Sequence, residues 1–368
     1  MKILVLNNYP LDRVSKEVAL GETANHLLYG INFFESWGHK CHIAETWSQK
    51  QLPFKYKILK RVHYFQNLGD LKQQSEVLSL SNKFDVLYAP CGTQTQWLQF
   101  LRYKKKYPTP IISLVHHPPL NGKLDFFRNG FNQKIWKGLD VVPCLSQYTA
   151  DLMNLRHNSQ KAFTVNWGPD LSFYKPSNSH GEGIVIAGRT SRDFATVIKA
   201  TQNTSLNTNI FYLQNNLGYN SDSLSPNIKL ICAKNEEPIP GKNSGWIKQE
   251  ELNKHYMEAR VIGIPLFEQT SLAGLTSLMD CLGIGKPVIM TKNPNIDIDI
   301  EKEGIGHWVS PGDSSEWRRL IQWYENHPNE ALEMGKRARA LAEGKINSEL
   351  FAKKMMTLFS DLLDQKSI

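Results

Sequence analysis

Residues 268–291, EQTSLAGLTSLMDCLGIGKPVIMT, set Thr270, Ser271, Gly274 and Thr276 at the front of a periodic apolar stretch carrying Leu275, Leu278, Met279 and Leu282. The apolar run RVIGIPLF comes immediately before and ends at Glu268. A strand feeding a helix that begins near Gly274 leaves the first backbone N–H groups without helical partners. With the positive end of the helix dipole they make a site for an anion such as phosphate, and a glycine lets that anion come close. Asp280 follows about one and a half turns into the helix, where a carboxylate can accept both hydroxyls of a ribose. The same pattern also fits ordinary hydroxyl caps with Asp280 on a solvated face.

A second stretch, GIVIAGRTSRDFATVIKA (183–200), again reads as strand, turn and helix, with Arg189 and Arg192 at the turn. Paired guanidiniums suit a bidentate grip on phosphate oxygens. Surface pairing with Asp193 or Glu182 is the competing use. His117 closes IISLVHHPP next to His116, and an imidazole at a strand end can accept or donate a proton near neutral pH. A capped histidine in a His-His-Pro-Pro turn is the plainer role.

The elements that must position these groups alternate between apolar runs and helical periodicity, the signature of βαβ units and a parallel sheet. Strands are expected at 2–8, 39–45, 84–90, 109–117, 139–146 and 163–168, with helices at 22–38, 93–106, 126–137 and 147–154. A Pro-, Ser- and Gly-rich stretch, 169–183, reads as a linker. A second series then starts afresh, with strands at 183–188, 209–214, 227–233, 260–266, 286–291 and 307–312 and helices at 192–202, 249–258, 273–283 and 315–325. The fold class expected is α/β, with two Rossmann-like doubly wound domains, 1–172 and 173–345, facing a central cleft. Residues 346–368 are expected to form a helix that returns to the first domain.

The 368-residue length suits two cores, and 41% apolar with 21% charged residues fits globular packing. No apolar run reaches membrane-spanning length, and MKILVLNNYP turns polar too soon for a signal peptide, so a cytoplasmic site of action is expected. Cys41, Cys91, Cys144, Cys232 and Cys281 form no CxxC pair and read as reduced thiols. The net charge of +8 is concentrated in residues 1–172, which carry 21 Lys and Arg against 12 Asp and Glu. That asymmetry suits an anionic surface or substrate met by the first domain, and equally a solvated basic face.

Taken in order, "LSQYTADLM", "VNWGPDLSFYKP", "AGRTSRDFATVIKA", "SGWIKQEELNKHYMEARVIGIPLF" and "GLTSLMDCLGIGKPVI" followed by "GIGHWVSPGD" resemble the GT-B fold retaining glycosyltransferases of the family-4 type, over nearly the whole chain. The resemblance implies a nucleotide-sugar donor, with a UDP- or GDP-sugar as co-substrate, no cofactor and no bound metal. It implies that Arg189 and Arg192 meet the pyrophosphate, Arg192 standing in for a family Lys whose position is Phe194. Of the family's two Glu residues eight positions apart, the ribose-binding one falls on Asp280 and the sugar-facing one on Leu272, with Gln269, Thr270 and Ser271 as neighbours able to compensate. The glycine-rich turn of the first domain falls on Gly21 and Glu22, and a histidine beside the transferred sugar falls on His117. The candidate catalytic set is thus His117, Arg189 and Arg192. The donor set is Gly21, Glu22, Thr270, Ser271, Gly274, Leu275, Thr276 and Asp280. The implied reaction is front-face substitution with retention at the anomeric carbon. Asp297 and Asp299 mimic a metal-binding DxD spacing, but their place after KPVIMT reads as loop capping.

FKYKILKRVHYFQNL (54–68), with Lys55, Lys57, Lys60 and Arg61, and LRYKKKYP (101–108), with Lys104, Lys105 and Lys106, mix cations with bulky apolar residues. Such stretches suit an anionic membrane surface presenting a lipid-linked acceptor, or a solvated face with its aromatics turned inward. No nucleic-acid recognition module is apparent. A lipid-linked or glycan acceptor is the expected partner. A sugar-nucleotide epimerase or a phosphorylase lacks its acidic residues or its cofactor lysine here. A catalytically silent subunit that binds nucleotide or scaffolds an active partner is the alternative, supported by Leu272.

Overall fold

Runs such as Val86–Ala89 (VLYA) and Ile184–Ala187 (IVIA) are buried at every position, as strands covered on both faces of a parallel sheet must be. The computed structural model of the chain describes residues 1–45, 70–91, 95–118, 125–205, 207–213, 217–219, 224–233 and 247–364. The basic stretch with Lys55, Lys57, Lys60 and Arg61 lies outside the described residues. Among the described residues no helix is long and apolar enough to cross a membrane.

The chain divides into two units. One comprises Met1–Lys16, Leu27–Trp167 and Glu349–Ile368, the other Glu17–His26 and Gly168–Ser348. In the first, β1 (Lys2–Val5), β2 (Lys40–Ile43), β3 (Val86–Ala89) and β4 (Ile111–Ser113) form a parallel sheet ordered β2-β1-β3-β4. β5 (Val142–Cys144) pairs with β6 (Ala162–Thr164), and single parallel bridges Ile112–Val141 and Val115–Cys144 join them to the β4 side. Leu4, Leu87, Leu98, Ile111, Trp136 and Val142 fill its core. The last helix, Ser348–Asp364, sends Phe359 against Phe34 and Tyr88, with ring centroids 5.4 and 5.3 Å apart.

In the second unit, β7 (Ile184–Ala187), β8 (Thr208–Leu213), β9 (Ile228–Ala233), β10 (Val261–Ile264), β11 (Val288–Thr291) and β12 (Gly306–Val309) make one parallel sheet ordered β12-β11-β10-β7-β8-β9. Counted from β7, that is 3-2-1-4-5-6, the order of dinucleotide-binding sheets. The direction of winding reverses between β7 and β10. Ligands of such sheets bind beyond the carboxyl ends of the strands at that switch.

Each strand expected from the sequence has its counterpart, whereas the helices differ. The helix expected over 22–38 is broken into a 3-10 turn, Asn25–Leu28, and a helix, Ile31–Ser36. Tyr29 (φ 50°) and Gly30 (φ 91°) sit between them in the left-handed region, which no right-handed helix can pass through. Helices Leu11–Ala19 and Leu71–Leu78 have no counterpart in the sequence reading. The first is short and mostly polar, with Leu11, Val14 and Val18 on one face, and the second buries Lys72, Gln73 and Gln74 beside Val77.

Candidate functional site

The turn leaving β7 is held by its own arginine. The buried Arg192 guanidinium donates from Nε to the Ala187 carbonyl (3.1 Å), from one terminal nitrogen to the Thr190 carbonyl (3.1 Å) and from the other to Ser277 Oγ (2.9 Å). Burial lowers its pKa to about 10, which leaves it charged at neutral pH. Ser191 takes φ 55° and Gly188 φ 147° to make this turn, and a Cβ at Gly188 would overlap the Arg192 guanidinium. Gly188→Ala is therefore expected to cost about 2–4 kcal/mol, read as a fall in Tm, because backbone strain and steric overlap add. Arg189 lies exposed at the turn, one residue after Gly188.

The loop leaving β10 is zipped to this turn. Asp193 N donates to the Pro265 carbonyl (3.2 Å) and Phe267 N to the Ser191 carbonyl (3.1 Å). Asp193 then caps the helix Phe194–Thr201 by accepting from Thr196 N and Oγ1, so its carboxylate serves the helix. On the β10 side, Asn293 Nδ2 donates to the carbonyls of Ser271 and Ala273, each at 3.0 Å, which fixes the path into the helix Leu275–Ile284. Gly274 opens that helix at φ 91°, where a side chain would run into Met290, Ile264 and Leu266. Thr270 and Thr276 are exposed and Leu275 half-buried, while Ser271 Oγ donates to Gln269 Oε1 (2.9 Å). The turn after β7 and the helix tip after β10 thus meet at the switch of the sheet, joined by the Arg192–Ser277 bond. Leu272 is buried there at 7% exposure.

Asp280 faces inward, at 6% exposure. Its Oδ1 accepts from the Tyr174 hydroxyl at 2.5 Å, and Gln249 Nε2 donates to that same hydroxyl at 2.6 Å. Burial raises the Asp280 pKa to about 6, against the opposing pull of Tyr174, Gln249 and Arg192. Tyr174 and Gln249 were not singled out by the sequence. Tyr174 lies in the stretch that composition marks as linker, and 106 residues separate it from Asp280, so no local pattern pairs them.

Gly21 and Glu22 belong to the segment Glu17–His26 of this same unit. Gly21 takes φ 72°, and Glu22 meets Lys248 in an exposed ion pair at 3.3 Å, which contributes little. Thr23 Oγ1 and Ala24 N both donate to Gln249 Oε1, and Asn25 N donates to Asp170 Oδ2, which is why these residues fold with the second unit. In the first unit His117 is exposed just beyond β4. His116 turns inward to the Pro90 carbonyl (Nε2 at 2.6 Å) and the Tyr29 ring, and burial drives its pKa down to about 4. Lys104, Lys105 and Lys106 are exposed after the helix Gln96–Tyr103, Lys104 Nζ lying 5.6 Å from the Tyr103 ring centre. Asp299 accepts from Glu301 N, Lys302 N and Trp308 Nε1, the work of a loop cap.

Two α/β units with parallel sheets, one of them in dinucleotide-binding order with a cationic turn and a helix tip at its switch, define the GT-B fold. No protein-family model matches the sequence, and no curated protein matches it. Solved structures match nearly end to end. A sucrose-phosphate synthase from Thermosynechococcus elongatus is similar at 15% identity and TM-score 0.68, over 99% of this chain and 100% of that one. A glycosyltransferase from Rickettsia africae is similar at 13% identity and TM-score 0.69, over 98% of each chain. HepE from Anabaena, in a structure with UDP-glucose, is similar at 14% identity and TM-score 0.64, over 98% of this chain and 100% of that one.

Proposed function

We propose that the chain is a glycosyltransferase that moves a sugar from a UDP- or GDP-sugar to a lipid-linked or glycan acceptor, with retention at the anomeric carbon. The observation that carries this reading is the meeting of the Gly188–Arg192 turn and the Gly274 helix tip at the switch between β7 and β10, with Asp280 a turn and a half behind. HepE binds UDP-glucose on the same fold, which supports a nucleotide-sugar donor. In this reading the helix tip and Arg189 receive the diphosphate, Arg192 holds the turn against Ser277, and Asp280 accepts the ribose diol. The acceptor hydroxyl attacks the anomeric carbon on the face that the diphosphate leaves. Donors fixed before the reaction stabilise the departing charge without reorganising. His117, exposed where His116 is not, is the imidazole with access to a hydroxyl. The lysines at 104–106 suit an anionic membrane surface presenting the acceptor.

Release of nucleotide diphosphate from a panel of UDP-, GDP- and ADP-sugars, with and without membrane extract, tests the proposal. Turnover with one donor is expected, and its rate should fall by about a hundredfold in Arg189→Ala, as when a preorganised transition-state donor is lost. Buried Leu272, which offers no acceptor to sugar hydroxyls, favours a second reading, a silent subunit. Calorimetric binding of UDP or GDP without diphosphate release from any donor would identify that case.

A further inference from the structure

Between Asp280 and the turn at Gly21 runs a continuous line of side-chain donors. Thr23 Oγ1 (2.5 Å) and Ala24 N (2.9 Å) donate to Gln249 Oε1. Gln249 Nε2 donates to the Tyr174 hydroxyl, and that hydroxyl donates to Asp280. Every side-chain donor points toward the carboxylate, so each bond polarises the next. The middle of the line is rigid. Tyr174 is buried at 1% exposure, its ring lies against Gly283, its N–H donates to the Asp170 carbonyl and its own carbonyl accepts from Arg339. Asp170 Oδ2 also accepts from Asn25 N at 2.8 Å, so Thr23–Asn25 is gripped by two side chains of the same unit.

We infer that Tyr174 and Gln249 are positioning residues of the nucleotide site: they orient the Asp280 carboxylate for a ribose diol and couple its occupancy to the backbone of Thr23–Asn25. The identity of the ligand rests on the glycosyltransferase reading. The coupling rests on the hydrogen bonds alone. A nucleoside diphosphate drawing on Asp280 shifts charge along the line and tightens the turn that follows Gly21. Tyr174, Gln249, Arg192 and Tyr256 face the carboxylate from other elements, and Cys281 adjoins it on its own helix.

The test uses the full chain and its Tyr174→Phe and Gln249→Leu variants. UDP and GDP binding is measured by calorimetry between about pH 5 and 8, with hydrogen exchange at the Thr23–Asn25 amides. In the wild type, affinity is expected to rise as pH passes about 6, and nucleotide to protect the Ala24 amide. Tyr174→Phe is expected to move that midpoint upward and to weaken binding at neutral pH by about tenfold, the worth of a hydrogen bond to a charged group. Tyr174→Phe should lose the nucleotide-induced protection, whereas Gln249→Leu removes the acceptor of the Ala24 amide and should speed its exchange with or without nucleotide. A packing role alone would lower Tm and leave the midpoint in place. An unchanged midpoint with unchanged protection in Tyr174→Phe overturns the inference, and should that variant misfold, unchanged nucleotide-induced protection in Asp280→Asn at saturating nucleotide overturns it. If the wild type binds neither nucleotide, the functional reading fails and the coupling is judged without ligand. Asp280→Ala is then expected to speed exchange at the Ala24 amide by about threefold or more, as a polarised network loses its acceptor. An unchanged rate overturns the coupling.

Discussion

Asp280→Asn is expected to make the protein more stable at neutral pH and weaker at holding a nucleoside diphosphate. The folded Asp280 titrates near 6 against an ordinary 3.8, because burial penalises its charge more than its neighbours repay. The folded chain thus keeps a proton there that the unfolded chain has already released. This contribution to stability is full below the ordinary pKa and is lost as pH rises through about 6. At about pH 7 the ionised carboxylate costs up to about 3 kcal/mol relative to its neutral form. The amide avoids that cost and still offers Tyr174 an acceptor. Denaturant melts of the two proteins should agree near pH 4 and separate by about 1–3 kcal/mol at pH 7, the variant being the more stable. Its affinity for UDP or GDP should meanwhile fall by about 30-fold or more, since charge-assisted bonds to the ribose are lost. A variant less stable than the wild type at pH 7 would show that Tyr174, Gln249 and Arg192 outweigh the cost of burial.

The second large effect is loss of stability in mild acid. His26, His116 and His157 are each driven down to about 4, chiefly by burial, and His157 stacks on Trp136 with ring centroids 4.2 Å apart. The sign is opposite to that of Asp280. An unfolded histidine takes up a proton near 6.5, so stability is complete above that pH and drains away as pH falls toward the folded value. Each fully buried histidine of this kind withdraws up to about 3 kcal/mol, and the half-buried His116 and His157 less. Near pH 5 the three histidines gain protons on unfolding while Asp280 releases one, for a net uptake of about two. Chemical denaturation across this range should give at least that slope, since burial lowers His39, His117 and His307 as well. His157→Gln should reduce it by close to one proton, and a slope unaffected by any of the three substitutions would locate the acid sensitivity elsewhere.

The sheets were legible because strands covered on both faces have to be nearly continuous apolar runs, as RVIGIPL and KPVIMT are. The helix start at Gly274 and the turn at Arg189 were legible for a related reason, since caps, glycines and guanidiniums act through their immediate neighbours. Long-range and polar features were not. Helix Leu71–Leu78 packs Gln73 and Gln74 inward, so its periodicity is invisible to a hydrophobic pattern. The break at Tyr29 and Gly30 depends on tertiary packing around Phe34 and Ala352. Arg192 looks in sequence like a partner of Arg189, and no local pattern shows that part of its guanidinium holds the turn, donating to the Ala187 and Thr190 carbonyls and to Ser277. Tyr174 meets Asp280 only because the chain passes Asp170 and lays the tyrosine ring against Gly283.

Placing Phe359 against Phe34 and Tyr88 has a consequence for biosynthesis. Phe34 and Tyr88 are made long before Phe359, so both rings lack this partner until the helix Ser348–Asp364 has emerged from the ribosome. A nascent chain in that state offers a holding chaperone two apolar rings to bind, and a chain cut short before Phe359 would keep them without their aromatic partner.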